Sequence, residues 1–181
     1  MKFTALELPG ARLVEPEVDV DRRGASRRHF RAGEYATQGI CTTVVQDNVS
    51  ENPQRGPLRG FHYRASPARE ARTLSCFAGA LYDIIVDLRP NSPTFMKWVA
   101  VEFSAWDRGN LHVPAGCANA WLTTMRETIV HYYVREFYAT AADRGLRCND
   151  PAFCFRWPLT PTLISEKDQN YPECDPRTLE A

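Results

Sequence analysis

The segment LRGFHYR, residues 58–64, puts Arg59, His62 and Arg64 within one short stretch. An imidazole has its ordinary pKa near working pH, so His62 can be a metal ligand, a packed core residue or a proton-transfer base. The metal reading fails on ligand count. Small β-barrels that hold a metal usually take a close histidine pair on one strand and another histidine after a PxG turn. Here His62 is alone on its strand, and the turn "PAG" is followed by Cys117, Ala118 and Asn119. His29, His112 and His131 are too dispersed to complete a site, so no metal is expected. A lone histidine in a β protein is ordinarily a satisfied packing residue. Its neighbours change that reading, because three potentially cationic groups repel one another unless an anion or carboxylates sit close by. An anionic ligand is the economical explanation.

The elements that must position these groups read as strands. In LYDIIVDL, Tyr82, Ile84, Val86 and Leu88 share one face, and Leu81, Asp83, Ile85 and Asp87 share the other. Such period-two alternation marks strands with one face in a core and the other toward solvent or a cavity. KWVAVEFS, NLHVP, WLTTM and TIVHYYVREF alternate similarly, separated by turn clusters such as RPNSP and VPAG. An all-β sandwich or barrel follows. SRRHFRAGEYATQG and SEKDQNY each suit one short helix, and residues 151–181, with five prolines, read as an extended tail packed over the barrel. The 181 residues are expected to form a single domain. Basic and acidic residues balance at 22 each, which excludes an overall field toward nucleic acid or an anionic membrane. The six cysteines show no CxxC spacing and the chain opens without a long apolar segment, so a reducing cytoplasm is expected. No apolar run approaches the roughly 20 residues of a membrane-spanning helix.

Nearly the whole chain resembles one family. DRRG near the start, QDNVSENPQRGPLRGFHYR, YDIIVDLRPNSPTF, VPAG, HYYVREFY, NDPAF with RWP following, and the closing LISEKD occur in the order and spacing of the dTDP-4-dehydrorhamnose 3,5-epimerases. The resemblance implies a cupin-like jelly-roll barrel with a few short helices, no cofactor, and a homodimer in which an arm of one subunit completes the other's sheet and site. The apolar segment FTALELPGARLVE suits an exchanged edge strand or an ordinary one. It also implies the chemistry. A base removes a proton beside a ketone, a cation stabilises the enolate, and an acid returns a proton to the opposite face.

By the same resemblance His62 is the base and Asp168 its carboxylate partner, Tyr132 is the acid, and Arg72 stands where the family usually has a lysine beside the enolate oxygen. Arginine keeps the charge but cannot release a proton as lysine does. Asp83 matches a carboxylate that contacts a second histidine in the family motif FAHGF; here the segment reads CANAW and the histidine is Asn119, which cannot titrate. Arg59 and Arg23 match phosphate- or sugar-contacting positions, Gln46 and Asn48 polar contacts near the sugar, and Tyr138 the ring on which the nucleobase stacks. After DRRG the family has an aromatic residue and then a glutamate that reaches the nucleotide in the partner subunit. Ser26 and Arg28 stand there instead, which opens recognition to a cytosine- or guanine-linked sugar. The expected partner is thus a nucleotide-diphosphate sugar. The leading reading is an isomerase acting at C3, C5 or both of a nucleotide-linked 4-keto-6-deoxy sugar. The alternatives are a mono-epimerase or 3,4-ketoisomerase on a CDP or GDP sugar, and a non-catalytic sugar-nucleotide binding protein.

Overall fold

The computed structural model describes residues 1–136 and 140–179. In chain order, strands β1 (Lys2–Ala5), β2 (Arg12–Glu15), β3 (Val18–Asp21) and β4 (Gly24–Arg27) lead to a short helix α1 (Ala32–Thr37). Next come β5 (Gln46–Asn52), β6 (Pro57–Arg64), β7 (Arg72–Ala78), β8 (Ala80–Asp87) and β9 (Trp98–Ser104). The series continues with β10 (Asn110–Val113), β11 (Cys117–Thr123), β12 (Thr128–Val134), β13 (Asp143–Gly145) and β14 (Leu163–Ile164), and then α2 (Glu166–Gln169). One sheet has the order β1-β2-β10-β7-β12-β5 and the other β13-β6-β11-β8-β9, with β14 added parallel to β6. Both expected helices fall inside the segments read for them, and the strand-rich sandwich is the cupin-like jelly roll.

Apolar residues of the two sheets meet in between, with Leu74, Leu111 and Val130 from one facing Leu81, Ile85 and Trp121 from the other. The alternation of β8 is therefore as read, but its second face does not meet solvent. Ile84 and Val86 join Leu58, Phe61 and Leu122 in a second core covered by Phe153, Phe155 and Trp157 of the tail. Phe61 stacks on Phe155 at 4.4 Å, and the indole nitrogens of Trp98 and Trp157 donate to Phe153 O and Cys148 O at 3.0 Å each. Losing a fully buried aromatic such as Phe61 costs about 3–5 kcal/mol, against about 1 kcal/mol net for one hydrogen bond. Ring packing, more than the two-residue pairing of β14, thus anchors the tail that carries α2.

At the other end of the chain, β1 and β2 form a hairpin on the edge of the first sheet. β3 and β4 form a two-stranded sheet of their own, whose Val20 is 73% exposed. No helix among the described residues is long and apolar enough to cross a membrane. All six cysteines are free.

Candidate active site

A cleft of about 430 Å³ opens between the sheets, and His62, Tyr132, Arg72, Arg59, Asp168 and Trp121 line it. His62 enters from β6 and Tyr132 from β12 in the facing sheet. His62 Nε2 lies 2.7 Å from Asp168 Oδ1. The partnership depends on local folding at two places. Ser165 caps α2 by accepting from the Asp168 amide at 3.1 Å, which fixes the start of the helix. Gly60, at φ +112°, lets β6 pass close to β11, since a Cβ there would lie 2.6 Å from Asn119 O. Its N–H then donates to Asp168 Oδ2 at 3.2 Å. Burial works against the Asp168 charge, but the His62 hydrogen bond and charge, the Gly60 amide and Ser165 prevail and hold its pKa below the usual carboxylate value. An ionised carboxylate only accepts, so Nε2 of His62 carries the proton and Nδ1 is left as the ring's acceptor.

Arg72 lines the cleft, and behind it, outside the lining, its Nη1 donates to Asn119 Oδ1 at 3.1 Å and Asn119 Nδ2 donates to Asp83 Oδ2 at 2.9 Å. Asp83 is fully buried, and its Oδ1 has no hydrogen-bond partner among the described residues. Burial raises its pKa well above the usual value, only partly offset by Asn119 and the Arg72 charge. The folded chain therefore holds a proton on Asp83 that the unfolded chain releases near pH ~4. Above that pH the folded state binds more protons, so this group lowers stability as pH rises toward its folded pKa. Asp83→Asn mimics the neutral acid and should remove the loss. In thermal unfolding, the gain of the variant over wild type should be near zero at pH ~4 and grow toward neutrality. A gain that is flat or shrinks with pH would show that Asp83 is ionised in the fold.

Arg59 donates from Nε to Asn52 Oδ1 at 3.2 Å, and its guanidinium lies 5.6 Å from the Trp121 ring centre. Asn48 faces Tyr132 across the β5–β12 pair, accepts from Gln46 at 2.7 Å, and keeps a buried amide nitrogen with no partner among the described residues. Arg23 and Arg28 do not line the cleft of this chain. Arg23 is exposed on the β3–β4 hairpin and pairs with Asp21 at 2.6 Å, while Arg28 sits in a small hollow with Glu17, Asp19 and Glu34. Tyr138 lies outside the described residues. The other histidines are engaged away from the cleft, His112 with Thr73 at 3.0 Å, His29 with Ser75 at 2.7 Å and His131 with Asp47 at 2.6 Å.

Sequence reasoning missed Trp121, Lys167, Asn52 and Glu70. Trp121 and Lys167 line the cleft and lie inside the CANAW and SEKD segments already singled out, so alternation along β11 and proximity to Asp168 could have found them. Glu70 left no such trace, because it lies in the loop before β7.

Comparison with known proteins adds four findings. The family model described as dTDP-4-dehydrorhamnose 3,5-epimerase matches residues 5–175. The dTDP-4-dehydrorhamnose 3,5-epimerase of Sinorhizobium fredii is 36% identical over 173 residues, covering 95% of this chain and 89% of that protein. Among solved structures, the Bacillus anthracis enzyme of the same description, with TDP and PPi bound, aligns with TM-score 0.92 and 35% identity over 96% of this chain and 99% of that one. A 3'-monoepimerase from Streptomyces bikiniensis, in complex with dTDP-quinovose, aligns with TM-score 0.86 and 33% identity over 93% of this chain and 85% of that one.

Proposed function

Because the chain belongs to the dTDP-4-dehydrorhamnose 3,5-epimerase family and is an isomerase of nucleotide-linked 4-keto-6-deoxy sugars, we propose that His62, Tyr132, Arg72 and Asp168 carry out the inversion. His62 takes the proton from the carbon beside the ketone, and the electron pair moves onto the ketone oxygen as an enolate. Arg72 faces that oxygen with a fixed positive charge. Tyr132 then gives its phenolic proton to the opposite face of the same carbon, and solvent restores both groups. Asp168 fixes the imidazole tautomer and stabilises the imidazolium that forms. The observation that carries this reading is the entry of imidazole and phenol into one cleft from facing sheets, with a buried carboxylate behind the imidazole.

Arg59, braced by Asn52 and Trp121, binds the pyrophosphate of the substrate, and Asn48 and Gln46 bind the sugar. Arg23, Arg28 and Tyr138 belong to the nucleotide end. The exposed β3–β4 hairpin, which carries Arg23 and leads directly into Arg28, suits an arm reaching a second copy's cleft, and the proposed working form is a homodimer. A cytoplasmic location fits a sugar-nucleotide substrate and six free cysteines. A second reading has one specific observation behind it. Asn119 replaces a titrating group with a bridge between Arg72 and Asp83, and this favours action at a single carbon. One experiment tests these points together. The protein is first sedimented, where twice the chain mass supports the dimer and a single chain mass overturns it; it is then incubated with dTDP-, CDP- and GDP-linked 4-keto-6-deoxy sugars in D2O, and deuterium is read at C3 and C5 by NMR. Exchange at both carbons marks a 3,5-epimerase and at one carbon a mono-epimerase. Binding without exchange would overturn the catalytic assignment.

A further inference from the structure

Just behind Arg72 the structure holds a buried carboxylate outside the residues so far given a role. Glu70 is buried and stands between two guanidinium groups. Its Oε1 accepts from Arg72 Nη2 at 2.7 Å. Its Oε2 lies 2.7 Å from Arg64 Nη2 in an ion pair that is not aligned as a hydrogen bond. All three side chains are nearly enclosed, with exposures of 3% for Glu70, 7% for Arg64 and 13% for Arg72. Glu70 does not line the cleft, whereas Arg72 does.

We propose that Glu70 is a positioning residue, a clamp that fixes the guanidinium of Arg72 at the enolate oxygen while Arg64 balances its second oxygen. The proposal rests on the reading of Arg72 as the oxyanion partner and adds how that cation is held. An arginine has a long, freely rotating stem and a planar fork, so its charge is useful only where the fork is fixed. Two directions of the Arg72 fork are taken, Nη2 by Glu70 and Nη1 by Asn119, and the N–H groups left over are those available to the cleft. The charges fit the same purpose. Glu70 offsets one of the two arginines, while burial disfavours charge on Asp83 at the far end of the Asn119 bridge. Arg64, Glu70 and Arg72 together carry one net positive charge, and of the three only Arg72 lines the cleft. A lysine, the residue usual at this place in the family, has a single flexible nitrogen and does not depend on a fork being gripped from behind.

A double-mutant comparison separates a clamp from simple structural glue. Glu70→Gln keeps the shape but leaves one oxygen for two arginines, and it should lower kcat about tenfold or more while KM stays within about threefold, because Arg59 and the nucleotide end are untouched. In the Arg72→Lys background the same change should lower kcat by less than about threefold, because there is no fork to hold. Equal losses in the two backgrounds, or no loss in either, would overturn the clamp. If Glu70→Gln does not fold, Glu70→Asp carries the same comparison, since it keeps the charge and shortens the reach by one methylene. Wild-type exchange in D2O is measured alongside. Its absence would overturn the enzyme reading and the clamp together, whereas normal wild-type exchange with additive losses would overturn the clamp alone.

Discussion

His62→Ala is expected to lose turnover by about 10²–10⁴-fold, the usual contribution of a positioned general base. Deuterium exchange from D2O into recovered substrate should vanish with it, because without a base no enolate forms in either direction. The fold should survive. The His62 side chain is one-third exposed, and Asp168 keeps its bonds to the Gly60 amide and to Ser165 after the ring is gone. KM should change little, since the imidazole is asked to act on one C–H bond and not to hold the nucleotide. The truncation also leaves a space of imidazole shape beside an ionised carboxylate, so imidazole added to the buffer should restore part of the exchange. Wild-type rates in His62→Ala would remove the base assignment, and with it the role given to Asp168.

How much of this was legible beforehand depended on where each residue lies. Alternation in LYDIIVDL put Asp83 on the face opposite Tyr82, Ile84 and Val86, and in the fold it meets Asn119 there. It could not show that the opposite face is buried too, because the cover comes from Phe153, Phe155 and Trp157 far along the chain. Composition alone would have left Asp168 a surface charge. Its place beside His62 follows from a tail docked by aromatic packing and from a Ser165 cap, features that only the motif resemblance connected to the site. Glu70 was invisible for a different reason. A carboxylate in a charged loop reads as solvated, and only the folded chain shows it enclosed between Arg64 and Arg72. Arg23 and Arg28 illustrate the converse, since they were named through motif position while the single chain leaves them outside its own cleft.

Tyr132→Phe should separate two events that wild type performs together. The variant keeps the ring, and so its packing against the inter-sheet core, and loses one hydroxyl. His62 can still take a proton and form the enolate. Being partly exposed, the imidazolium can trade that proton for deuterium and return it to the face it came from. Inversion, however, needs a donor on the other face, and Tyr132 is the group the facing sheet supplies. Formation of inverted product should therefore fall about 10²-fold or more, while exchange into uninverted substrate stays within about tenfold of wild type. The ratio of the two rates, read from one NMR time course, is independent of how much active protein each sample contains. If exchange and inversion fall by the same factor, Tyr132 acts before the enolate forms and is not the acid. If neither falls, the returning proton comes from elsewhere, and two-sided attack by residues of facing sheets cannot be the mechanism.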